Sequence, residues 1–193
     1  MLVQQFKAIQ FKAAGVTNGT QHFNETFGYH VTSNSGGIIN MTITSVSGTQ
    51  GTSIVALVDS NNNTVLSVSF SGFKVTGSQA KTEFDSFMAL FGLEGYYGGQ
   101  VGVLTDSSYF HSTGTSSFTN GTSFQVTNYE ANTLPQMVNS CGFGFNLTAY
   151  TLSVGTPPNT SLQFITFLHI AGTNLSNQST EDYTFQLVSM TVA

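Results

Sequence analysis

Four histidines, one cysteine and nine carboxylates are the first candidates this 193-residue chain offers for acid–base, nucleophilic or metal chemistry. His22, His30, His111 and His169 are scattered, without the HxH or HExxH spacing that puts two imidazoles on one metal. His169 lies inside the apolar run "SLQFITFLHIAG", which predicts a core position rather than a ligand. Cys141, in "NSCGFGF", has no neighbouring base to make it a nucleophile; the expectation is a small buried hydrophobe. It is also alone, so no intrachain disulfide can form. Glu83, Glu94, Asp106 and Glu130 could supply the carboxylate pair of glycoside hydrolysis, but their spacing selects no pair. "GYYGGQVG" lacks the lysine and following helix of a phosphate loop. The expectation is therefore a protein that is not an enzyme and holds no cofactor or metal.

Asparagine carries the remaining chemistry. Nine Asn-X-Ser/Thr triplets begin at Asn18, Asn24, Asn40, Asn62, Asn120, Asn146, Asn159, Asn174 and Asn177. Fifteen Asn among 50 Ser and Thr would give roughly four by chance, so nine is about a twofold excess of N-glycosylation acceptors. In "GGIINMTITSV", Ile39, Met41 and Ile43 take one face of a strand and Asn40, Thr42 and Thr44 the other. "GFGFNLTAY" repeats the pattern around Asn146, and the remaining acceptors other than Asn24 fall in turn-like stretches. Covalent N-glycans are expected, and with them an extracellular location.

The elements that must present these residues are mostly short strands between Gly, Asn and Ser punctuation. Strands are predicted over 22–31, 37–46, 53–58, 64–75, 101–105, 116–128, 143–154, 161–171 and 182–192. The last two carry apolar residues on both faces, which predicts central or doubly covered strands. One helix is predicted over about 82–91: Phe84, Phe87, Met88 and Phe91 form an apolar stripe, Thr82 with Asp85 caps it, and Gly92 ends it. The fold class expected is all-β, a β-sandwich with Ig-like or jelly-roll connectivity and one helical crossover.

Charge is the compositional anomaly. Asp, Glu, Lys and Arg make up 7% of the chain, against about 25% in an average domain; there is no Arg, and the lysines are Lys7, Lys12, Lys74 and Lys81. With 17 Phe and 39% hydrophobic residues the chain can still bury a core. Acid unfolds proteins mainly by protonating carboxylates paired in the native state, and few such pairs are available here. A harsh, acidic exterior is expected. A net charge of −5 without a basic stripe argues against nucleic acid. No apolar run approaches the roughly 18 residues of a membrane span, and no signal-peptide pattern is present, so export implies a mature chain whose leader was removed.

The opening, "MLVQQFKAIQFKAAGVTNGT", is an extended, half-apolar strand that ends before an Asn18-Gly19 turn signal. A bulge near Lys7-Ala8 would align Phe6 with Ile9 and Phe11. Such a strand must be paired, either in its own sheet or in a neighbour's by strand addition. The leading strand, the short Ala13-Ala14-Gly15 step, the predicted sandwich, the scarcity of charge and the sequons together resemble the thread pilins of thermoacidophilic archaea, which are similar to chaperone–usher-type donor-strand pilins. The resemblance covers the whole chain. It implies a donor strand and hinge over 1–15, with Val3, Phe6, Ile9, Phe11 and Ala13 filling the next subunit's groove, and a β-sandwich pilin domain over 16–193. The implied partner is the chain itself, in a head-to-tail, glycosylated filament used in adhesion and biofilm, with a surface or glycan receptor possible. Two other classes fit the composition: an S-layer or viral coat protein, and a secreted carbohydrate-binding module using Tyr96 and Tyr97.

Overall fold

The computed structural model describes residues 5–47, 50–90, 101–140 and 143–193. The described residues form twelve strands and two helices. Six strands come first: β1 (Phe6–Thr17), β2 (Gln21–Ser35), β3 (Ile38–Ser47), β4 (Gln50–Asp59), β5 (Thr64–Phe70) and β6 (Phe73–Thr76). Helices α1 (Gly77–Leu90) and α2 (Val101–Leu104) follow. The second set is β7 (Phe110–Phe118), β8 (Phe124–Ala131), β9 (Gln136–Ser140), β10 (Phe143–Gly155), β11 (Phe164–Asn174) and β12 (Thr180–Val192).

All twelve strands join one antiparallel sheet in the order β6-β5-β4-β3-β2-β1-β12-β11-β10-β8-β7, with β9 paired to the free end of β10. The fold is all-β, as the strand pattern predicts. Each half is an up-and-down meander, and the ladder of β1 with β12 fuses the two halves at the centre. Both described helices lie between β6 and β7 in the chain: α1 overlaps the one helix expected over 82–91, and α2 is a second that was not expected. A twisted sheet this wide curls rather than staying open. The curl is visible where the β7–β8 turn comes back onto β12: Gly121 bridges Met190, and the Thr122 amide donates to the Met190 carbonyl at 2.7 Å.

One face of the curled sheet is the core. Ile39, Met41 and Ile43 are buried while Thr44 is exposed, so the predicted alternation in β3 holds. Ile54, Ala56 and Val58 of β4, Leu152 of β10, Leu168 and Ile170 of β11, and Phe185 and Leu187 of β12 continue the same layer. Ala80 and Phe84 of α1 and Val101 and Leu104 of α2 are buried with it. The buried Tyr150 ring stacks on Phe110 at 4.1 Å, and its hydroxyl donates to the Leu104 carbonyl, tying α2 to β10. Burial, then Tyr183 and Tyr129, raise the Tyr150 pKa far above the ordinary phenol value, so it stays a neutral donor.

Several local expectations need correction. The 101–105 stretch is helical: Val101 and Leu104, three apart, face the core together, and the Thr105 hydroxyl donates to the Val101 carbonyl at 2.8 Å. The predicted strand 64–75 is a hairpin, because Ser71 and Gly72 both take positive φ between β5 and β6. The predicted strand 116–128 likewise folds back as β7 and β8. Helix α1 starts at Gly77, five residues before the predicted cap. Thr82 is therefore interior, its hydroxyl donating to the Ser78 carbonyl, and Asp85 pairs with Lys81 one turn back. Phe91 and Gly92, and the side chains of Phe87 and Met88, lie outside the described residues.

The opening strand is the largest correction. β1 is hydrogen-bonded on both sides within its own sheet, to β2 from Ala8↔His30 to Thr17↔Gln21 and to β12 from Phe6↔Val192 to Thr17↔Glu181. Phe6, Ile9 and Phe11 fill this chain's own core, and Ala13 is partly buried against it; Val3 lies outside the described residues. The predicted bulge is present, with Lys7 left over between Phe6↔Val192 and Ala8↔Thr191, and it brings the three apolar residues onto one face. Asn18 and Gly19 both have positive φ and close a tight hairpin to β2. Gly15 is no hinge: a Cβ there would lie 2.5 Å from the Tyr183 Cβ and 2.7 Å from the Asp182 carbonyl oxygen, so glycine is needed for close packing.

Candidate functional surfaces

The acceptor asparagines divide by exposure. Asn18, Asn24, Asn62, Asn120, Asn146, Asn159 and Asn177 are exposed; Asn40 and Asn174 are half-buried. Strand alternation explains Asn146 of β10, which lies between the buried Phe145 and Leu147, whereas Asn24 lies on the outer end of β2, where the neighbouring Phe23 is itself 39% exposed. Turn geometry explains others. Asn18 is at the β1–β2 turn, where its Oδ1 accepts from the Thr180 amide at 2.9 Å, and Asn159 takes positive φ between β10 and β11.

What each amide nitrogen already does sets its availability to a glycan. Asn62 Nδ2 donates to Asp59 Oδ2 at 2.7 Å, and Asn120 Nδ2 donates to the Val188 carbonyl at 2.6 Å. Asn174 Nδ2 reaches Glu181 Oε1 at 3.2 Å. Asn40 is the least suited, because its Oδ1 is buried without a hydrogen-bond partner. Hydrogen bonds from Asn61 and Asn62, with the Asn62 side chain first, hold the exposed Asp59 carboxyl below the ordinary aspartate value.

The other chemistry-bearing residues stay apart. His169 is not in the core: β11 turns it to the outer face, where its Nε2 lies 3.1 Å from Asp182 Oδ1 of β12. In sequence, apolar residues fall on both faces of β11, which gives no sign that the face carrying His169 is the less covered one. His111 lies 3.1 Å from the Asn132 amide oxygen. Asp106 is occupied as a turn former, its Oδ1 accepting from the Ser108 amide. Glu83 is on α1 and Glu130 on β8. Among the described residues no group of three or more His, Cys, Asp or Glu could hold a metal ion. Cys141, Glu94, Tyr96 and Tyr97 lie outside the described residues. No described helix is long and apolar enough to cross a membrane.

Among the described residues the strand order ends in β6 on one side and β7 on the other, with the short β9 paired to β10 alone, and the two ends differ. β6 is four residues long, carries Lys74, and leaves Phe73 70% exposed. Among the described residues β7, nine residues long, pairs only with β8; residues 111–117 are all exposed, and "FHSTGTSSF" contains no Lys, Asp, Glu or Pro. Natural edges are usually blunted by shortness, by Lys or by Pro; β6 has the first two, and β7 has only a bulge at Thr113. Sequence reasoning missed β7 because that stretch was merged into one strand with β8.

No family model matches the chain, and no curated protein matches it. Among solved structures, a crystal structure of MucB in complex with MucA(peri) aligns at a TM-score of 0.34 with 12% identity, covering 96% of this chain and 50% of that one. The complex structure of Pseudomonas aeruginosa MucA/MucB aligns at 0.34 with 13% identity, covering 96% and 52%. The chain spans about half the length of these solved chains.

Proposed function

We propose that this chain is a structural subunit of a glycosylated extracellular assembly, joined head-to-tail by sheet edges rather than by its first strand. The observation that carries the reading is the uncovered, charge-free edge of β7. Its partner is the β6 edge of the next copy, where Phe73 stands exposed. Such a contact joins two different surfaces, so it adds copies head-to-tail and propagates as a filament where the rotation between copies does not close a ring. Each ladder bond contributes about 0.5–1.5 kcal/mol net, and covering Phe73 adds to that. The nine sequons and the scarcity of charge support an exterior location, and adhesion or biofilm is the role that fits such a filament.

Electron microscopy of assemblies from the wild type and from a Ser112→Lys/Thr115→Lys variant tests the joint. Both residues are exposed, so the variant should fold with an unchanged Tm while filaments disappear. Unaltered filaments from the variant would refute the edge contact. Flat lattices or closed shells from the wild type would favour an S-layer or coat protein instead.

A further inference from the structure

β12 outruns its partner. The β11–β12 ladder stops at Phe167↔Gln186, while β12 continues to Val192. The β7–β8 turn closes over the part left free, and four hydrogen bonds hold it there. Asn120 Nδ2 donates to the Val188 carbonyl, the Met190 amide to the Asn120 carbonyl, the Thr122 amide to the Met190 carbonyl, and the Val192 amide to Thr122 Oγ1. Gly121 is obligatory at this approach: its φ is +95°, and a Cβ would fall 2.1 Å from the Met190 carbonyl oxygen. Between the turn and the parted strands remains a cleft of about 310 Å³.

We propose that this cleft binds one sugar ring of a neutral saccharide. Its volume is at the small end of ligand sites, which span roughly 300–1,000 Å³. None of its lining residues is charged, so it offers no counter-charge to a phosphate, carboxylate or amine ligand. Instead it offers the Gln186 amide on one wall and the Ser117 and Thr119 hydroxyls on the other, each able to donate and accept. At its floor the Ser153 hydroxyl is fixed by donating to Asn128 Oδ1 at 2.7 Å, so the polar lining is organised before a ligand arrives. Phe118 and Phe167 supply apolar surface for the C–H face of a pyranose. A neutral ring with hydroxyls on its rim and an apolar face matches that combination. The sugar could belong to a glycan on Asn120, which itself lines the cleft, or to a separate saccharide.

The test is an amide-resolved NMR titration of the unglycosylated protein with neutral methyl glycosides of glucose, mannose, galactose and N-acetylglucosamine. Glucuronate and glucose 6-phosphate serve as charged controls. At least one neutral glycoside should give saturable shifts at residues 116–119 and 186–188, with the charged sugars binding at least tenfold more weakly. Gln186→Ala and Ser117→Ala, both at exposed positions, should weaken binding three- to tenfold with an unchanged Tm. No saturable shift, shifts elsewhere, or equal binding of charged and neutral sugars would overturn the site. If a glycan on Asn120 is the occupant, free glycoside binds the unglycosylated protein and fails to bind the glycosylated one; binding to both assigns an outside saccharide. The titration uses monomers, so its failure would leave the edge-to-edge joint standing.

Discussion

At the scale of single residues, exposure and prior hydrogen bonding sort positions that the sequence makes look alike. All nine acceptors share one triplet, yet Asn24, Asn146 and Asn159 are exposed while Asn40 has a buried amide oxygen. Peptide mapping by mass spectrometry should find high glycan occupancy at those three and Asn40 unmodified; a glycan on Asn40 would contradict the packing around β3. Gly15 is the second such case. Its neighbours leave no room for a methyl group, so Gly15→Ala should lower stability by about 1–3 kcal/mol in denaturant unfolding. A neutral result would mean that β1 and β12 separate more easily than their register implies.

At the scale of elements, the decisive one is β1. A free donor strand could be removed and leave a folded subunit with a vacant groove. A central strand cannot. Deleting residues 1–14 removes Phe6, Ile9 and Phe11, each worth about 1.5–3 kcal/mol of burial, and exposes the facing edges of β2 and β12. That loss rivals the whole stability of a domain, about 5–15 kcal/mol. The truncated chain should therefore be unfolded or insoluble, with no cooperative thermal transition. A soluble, cooperatively folding truncated monomer would restore the donor-strand account. The bulge at Lys7 shows how far this element was legible: its position follows from Phe6, Ile9 and Phe11 needing one face, whichever sheet supplies that face. The α2 segment was not legible, since four apolar-rich residues fit a strand or a helical turn equally well.

At the scale of the whole molecule, stability against acid follows from how little there is to titrate. Asp59 has its pKa held below the ordinary value by Asn61 and Asn62, so its stabilising contribution is present above the unfolded value. It is lost as pH falls through the lower, folded value. The Tm should stay level from neutral pH to about pH 4 and fall only gently below that, and Asp59→Asn should reduce the acid limb. A steep loss between pH 7 and 4 would be incompatible with so few paired carboxylates. The sheet's curl belongs to this scale as well, because the β7–β8 turn reaches β12 only once the width of the sheet makes it roll.

The sequence by itself determined the all-β class, the inward faces of β3 and β10, the turn at Asn18-Gly19 and the scarcity of ionic chemistry. Each rests on neighbours a few residues apart, through strand alternation, left-handed turn geometry or composition. Only the tertiary structure decided which strands meet. β1 and β12 lie at opposite ends of the chain, and no local pattern states that they pair. That pairing turns an apparent donor strand into the middle of the sheet and leaves β6 and β7 at its edges.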